Sequence, residues 1–149
     1  MKFNTYMEAA LSEARAAAKR GEVPVGAVVV CQGQIIARAH NLSERLHDFT
    51  AHAEMQAFTA ASEYLGGKYL NQCILYVTLE PCLMCGGAAA WTRIGKIIFG
   101  AFDEKKGFTQ YQHLKEGSSS VLHPKTTFQG GVKEDECKEI LQRFFKEKR

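Results

Sequence analysis

Two short motifs constrain this chain more than anything else in it. Thr50-Ala51-His52-Ala53-Glu54 forms the first, and Glu80-Pro81-Cys82-Leu83-Met84-Cys85 follows about thirty residues later. One imidazole and two thiols are donors that Zn²⁺ prefers, and a site with three protein ligands keeps its fourth position open, as catalytic zinc sites do. The fold must then carry His52 to the Cys82–Cys85 pair. Glu54, two residues past His52, supplies a carboxylate able to handle the proton of a water at the open position.

Each part of this pattern has an ordinary reading when taken alone. A lone C-x-x-C can be a redox pair or half of a zinc finger, but no second C-x-x-C or H-x₃₋₅-H pair is present to complete a finger. A thioredoxin-like pair would leave His52 and Glu54 without a role. Glu54 by itself is a common helix-surface charge, and Pro81 by itself is helix punctuation. The joint pattern is far more specific than its parts. Cys31, Cys73 and Cys137 stand singly in apolar or amphipathic stretches and read as packing residues.

A chain of 149 residues matches one ordinary domain, residues 1–149, and can bury a core without disulfides. The net charge of +3 permits a nucleic-acid partner without requiring one. No apolar run reaches the ~20 residues of a membrane span, and the first residues lack the apolar segment of a signal peptide. Free cysteines fit a reducing compartment. A cytoplasmic protein without a membrane partner is expected.

Periodicity predicts a helix over 5–20, with Gly21 ending it. A buried strand over 27–30 and a return strand over 34–40 form a hairpin about Gln32-Gly33. Residues 41–49 read as a loop. A helix follows from near Ala51 to Leu65, then a strand over 73–79, a helix beginning at Pro81, and a strand over 96–101. The stretch 102–124 reads as irregular, 126–129 as a short edge strand, and 133–148 as a closing helix. Its apolar stripe comprises Val132, Cys137, Ile140, Leu141, Phe144 and Phe145. This alternation predicts one sheet covered by helices, an α/β domain of three layers, α/β/α.

His52-Ala53-Glu54 with Pro81-Cys82-Leu83-Met84-Cys85 resembles the signature of the zinc-dependent cytidine deaminase-like superfamily. Within it the chain is most similar to the bacterial tRNA-specific adenosine deaminases, which edit a wobble adenosine to inosine. Glu22 to Val28, Asn41, Asp48, Tyr76 to Cys82, Arg93-Ile94-Gly95, Phe99-Gly100-Ala101 and Leu122-His123-Pro124 also carry the resemblance. It implies a mixed five-stranded sheet flanked by helices, one Zn²⁺ per chain held by His52, Cys82 and Cys85, and a homodimer acting on a tRNA anticodon loop. It further implies that Glu54 takes the proton of the attacking water and returns it to the ring nitrogen and the departing amine.

Asn41 resembles a residue that hydrogen-bonds the base edge, although asparagine after a strand is also a common turn residue. Val25 and Ala53 resemble pocket walls, and Val25 also reads as simple core. Asp103 and Lys106 resemble positions near the bound nucleotide chain, within a charge run that otherwise reads as a solvated loop. Phe144, Phe145 and Lys146 form a basic, aromatic tail suited to RNA, or else part of the closing helix's core stripe.

The resemblance weakens at Leu42, Phe49, Gly86 and Phe102, and across Gly107 to Ser120. Those departures touch surfaces that choose a substrate, not the ligand set. A deaminase of a free base or nucleoside of the guanine or cytosine type is thus a second reading. An inactive zinc-containing RNA-binding partner is a third, against which the intact Glu54 stands.

Overall fold

In the computed structural model of the protein, residues 2–111 and 121–148 are described. Most of the divergent 107–120 segment therefore lies outside the described residues. Five strands form one sheet: β1 (Gly26–Cys31), β2 (Gln34–His40), β3 (Cys73–Leu79), β4 (Lys96–Ala101) and β5 (Thr127–Gln129). Their order is β2-β1-β3-β4-β5. β1 runs antiparallel to both β2 and β3, whereas β3, β4 and β5 are parallel, so the sheet is mixed.

The central strands are apolar because both of their faces are covered. Ala27, Val29, Leu75, Val77, Ile97 and Phe99 face one core, with Ala53, Ala57, Phe58 and Ala61 of α3 (Ala53–Leu65) and Ala89 of α4 (Leu83–Thr92). Val28, Val30, Tyr76 and Ile98 face the other, with Met7, Ala10 and Leu11 of α1 (Lys2–Lys19) and Cys137 of α5 (Glu134–Glu147). Successive strand residues thus serve opposite faces. The result is the expected α/β/α layering.

Several boundaries differ from the sequence expectation. Helix α1 starts at Lys2, not at residue 5, because Phe3 and Tyr6 add a turn that packs on Tyr76, with ring centroids 6.1 and 5.1 Å away. The loop after Asn41 contains a four-residue helix, α2 (Ser43–Leu46). Pro81 does not begin α4. Cys82 is its N-cap, with extended backbone, and Pro81 is held outside by the Phe108 N–H donating to its carbonyl at 2.8 Å. The stretch read as irregular contains a 3₁₀ turn, Phe108–Tyr111, whose Phe108 is fully buried. On α5 only Cys137 is fully buried, while Phe145 is 47% exposed, so the apolar stripe frays at its end.

Candidate active site

Strand β3 ends at Leu79, and the chain turns through Glu80 and Pro81 into α4. Cys82 at the N-cap and Cys85 in the first turn both project from this helix end. His52 is the N-cap of α3, and Glu54 lies in that helix's first turn. Unpaired N–H groups and the positive end of the dipole make both helix starts favourable places for thiolates and carboxylates.

The two helix starts meet. His52 Nδ1 lies 3.6 Å from Cys82 Sγ and 3.5 Å from Cys85 Sγ. All three donor atoms fall within 4.8 Å of one another. A tetrahedral Zn²⁺ with bonds of about 2.05 Å to nitrogen and 2.3 Å to sulfur has N···S edges of roughly 3.6 Å. The donor set therefore fits that ion in kind and in spacing, and among the described residues it is the only such cluster.

The groups already behave as a polarised set. The hydrogen bond from Cys85, then that of His52, holds the Cys82 thiol down to about 4 against the opposing effect of burial. Cys85 is pushed far up by its bond to Cys82, by burial and by the nearby Glu54 charge. The Cys82 sulfur likewise raises His52 above the usual imidazole range. Glu54 is 4% exposed, and burial raises its carboxyl to about 7. Its charge acts on the Cys85 thiol and on His52, so the carboxylate stands close to the donor triad. A buried acid beside three metal donors can accept and return a proton close to neutral pH.

Three other residues singled out from the sequence, Ala53, Asn41 and Val25, are buried. Ala53 is fully buried between His52 and Glu54. The Asn41 N–H donates to the Val25 carbonyl at 3.1 Å, joining those two positions. Asn41 is buried, and its Oδ1 accepts the Ser43 hydroxyl at 3.1 Å.

Asp103 and Lys106 lie on a loop tied to the centre by a bridge between Cys82 and Gly107. There the Asp103 carboxylate accepts the backbone N–H groups of Lys105 and Lys106 at 3.1 and 3.0 Å, so it organises its own turn. Lys106 is exposed. Phe145 and Lys146 line a hollow of about 500 Å³ with Leu79 and Phe102. Phe144 is half-buried and meets Phe145 edge to face at 5.4 Å.

Two buried carboxylates, Glu80 and Glu22, fall within stretches quoted from the sequence but were given no role there. Glu80 is 2% exposed and accepts the Asp103 N–H at 3.0 Å, the Thr109 N–H at 3.0 Å and the Thr109 hydroxyl at 2.7 Å. Glu22 is 1% exposed and accepts the N–H groups of Glu44 and Arg45 at 3.0 and 2.8 Å. One holds the 103–109 loop and the other holds the loop after Asn41. Beyond the family resemblance of their stretches, the sequence signal for each is a glutamate set against an apolar run, Val23-Pro24-Val25 after one and Tyr76 to Leu79 before the other.

With the geometry established, comparison with known proteins decides the family. The whole chain, residues 1–149, matches the MafB19-like deaminases. This chain belongs to that deaminase family. A tRNA-specific adenosine deaminase of Bacillus subtilis (strain 168) is 46% identical over 146 residues, 97% of this chain and 89% of that protein. A solved structure from work on A-to-I editing by tRNA:A34 deaminases at the wobble position aligns with TM-score 0.82 and 41% identity, over 92% of this chain and 99% of that one. A guanine deaminase structure from Bacillus subtilis aligns with TM-score 0.63 and 35% identity, over 78% of this chain and 70% of that one. As a MafB19-like deaminase, the chain is an α/β enzyme with a cytidine deaminase-like fold, and the donor triad lies where two of its helices begin.

Proposed function

We propose that this chain hydrolyses the wobble adenosine of a tRNA anticodon loop to inosine, releasing ammonia. One observation carries this reading: the His52–Cys82–Cys85 triad with Glu54 beside it, in a chain 46% identical to a tRNA-specific adenosine deaminase. Residues 1–149 act as one domain.

His52, Cys82 and Cys85 would hold one Zn²⁺. When bound, the ion supplies the Lewis acidity that makes water a nucleophile near neutral pH. Glu54 takes the proton of the attacking water, a role suited to a carboxyl that burial raises to about 7. As C6 is attacked, Glu54 delivers that proton to ring N1. Glu54 then moves the second proton, from the oxygen now bonded to C6, to the exocyclic nitrogen, so that the C6–N bond breaks with loss of ammonia rather than an amide anion and the C6–O bond becomes a carbonyl. One adenosine residue and one water give one inosine residue and one ammonia, so no other reactant is needed.

Asn41 presents amide N–H donors to an acceptor on the base edge, and Val25 and Ala53 wall the pocket and exclude bulk water. A base can enter such a pocket only from a single strand or a loop, where unstacking is cheap. Asp103 shapes the neighbouring turn, and Lys106, Phe144, Phe145 and Lys146 lie outward, where phosphates and unstacked bases of the loop would meet them.

Two copies pair through the face formed by α3 and α4. That face leaves Trp91 85% exposed at the end of a helix rich in glycine and alanine, which suits close packing. Among the described residues no helix is long and apolar enough to cross a membrane.

The test is direct. Purified protein is incubated with an anticodon stem-loop carrying a wobble adenosine, and separately with guanine, cytosine and adenosine, and ammonia release is measured. Turnover of the stem-loop is expected. Turnover of free guanine alone would replace this reading with the one favoured by the likeness to the guanine deaminase structure.

A further inference from the structure

We propose that Glu22 is a positioning residue for substrate recognition: its buried carboxylate sets the loop that carries Asn41. The inference rests on the reading of Asn41 as the residue that meets the base. Glu22 is itself fixed at the carboxyl end of α1. Its N–H donates to the Ala17 carbonyl at 3.0 Å, across a reversal made by Gly21 at φ +77°. The side chain then points inward, with only 1% exposed.

Its two oxygens take two different donors. Oε1 accepts the Glu44 N–H at 3.0 Å and Oε2 accepts the Arg45 N–H at 2.8 Å. These belong to the first turn of α2, where N–H groups have no intrahelical partner. A helix of four residues cannot hold its own shape. Charge-assisted bonds to a buried carboxylate are strong, so the direction of α2 is imposed from outside, by the end of α1. Among the described residues no lysine or arginine pairs with Glu22. Burying a carboxylate is costly, and here backbone N–H groups alone offset the cost.

The same clamp reaches Asn41. The loop closes on itself through the Leu42 N–H, which donates to the Ala51 carbonyl at 2.9 Å. Asn41 is held at its N–H by the Val25 carbonyl and at its Oδ1 by Ser43, the first residue of α2. Val25 lies three residues past Glu22, so one short segment fixes both the pocket wall and the base-reading side chain. Let α2 swing, and Ser43 no longer orients the Asn41 amide. The donor triad does not depend on Glu22, because His52 is set by α3 and the cysteines by α4.

Glu22→Gln tests this. Glutamine keeps one acceptor oxygen and turns an N–H₂ toward a backbone N–H, so one of the two bonds is lost. The expected result is a KM for the anticodon stem-loop raised about tenfold, the effect of one such bond, with kcat and zinc content close to those of the parent. In an Asn41→Ala background the same substitution should add nothing, since no oriented amide remains to be misplaced. An unchanged KM, or a full tenfold effect that persists without Asn41, overturns the proposal.

Should Glu22→Gln fail to fold, hydrogen exchange on the unmodified protein decides. Slow exchange at the Glu44 and Arg45 amides is required, and exchange at the rate of an unstructured peptide overturns the clamp. If the unmodified protein turns over guanine and not the stem-loop, the tRNA reading fails, and the same cycle is read on guanine.

Discussion

The Glu80 carboxylate fills the space in which a β-carbon on Gly107 would have to sit. This close approach lets one buried acid gather the N–H groups of Asp103 and Thr109, and it brings Gly107 into its bridge with Cys82. Gly107→Ala would force the carboxylate or the loop to move and would break at least one of those bonds. A loss of about 1–3 kcal/mol is expected, read as a lower urea midpoint. An unmoved midpoint would mean that the loop does not depend on this contact.

Glu54→Ala should leave the donor triad complete and remove the proton carrier. Metal content, measured by atomic absorption, should stay at one per chain, while ammonia release falls by at least about 10²–10⁴-fold. A loss of metal along with activity would instead make Glu54 part of the ion's binding set.

Cys85→Ala takes one donor from a triad in which the imidazole lies 3.5 to 3.6 Å from the two sulfurs. Binding to the native state alone stabilises it by about 4 kcal/mol when free ligand is a thousandfold above its Kd. The variant should therefore lose metal, activity and several degrees of melting temperature together. Chelation of the unmodified protein should reproduce all three. Full activity after exhaustive chelation would end the zinc assignment.

Trp91 is the most exposed large hydrophobic residue of α3 and α4, at 85%. Trp91→Glu should place a charge in the proposed contact between two copies and shift the protein toward monomer in sedimentation velocity. A parent protein that is monomeric at every concentration would remove the homodimer from the account.

What the sequence disclosed, and what it hid, follows from the range of the interactions. Val28 to Val30, Leu75 to Val77 and Ile97 to Phe99 announced buried strands because each residue is apolar on whichever face it serves. The triad was legible because metal chemistry fixes residue type and spacing together. Helix α2 was not, since what holds it is a carboxylate 22 and 23 residues away, which leaves no periodic trace. Pro81 misled for a local reason: its type suits a first helical turn, but the bond from Phe108 and the extended backbone of Cys82 keep it outside. Phe108 itself sat among glycines and polar residues that hid a core side chain.

Phe145 and Lys146 leave the core at the end of α5, beside the hollow lined by Leu79 and Phe102, and Leu79 immediately precedes Glu80. The tail therefore stands at the same end of the sheet as the donor triad. An anticodon loop seated over the triad would bring its phosphates and flanking bases toward these side chains. Phe144→Ala with Lys146→Ala should weaken stem-loop binding by about 1–3 kcal/mol through lost stacking. The slope of log affinity against log salt should also fall by roughly 0.7 for the one phosphate contact removed. Because Phe144 is only half-buried and Lys146 is exposed, the melting temperature should change little. Equal affinity and slope in parent and variant would return both residues to the packing of α5.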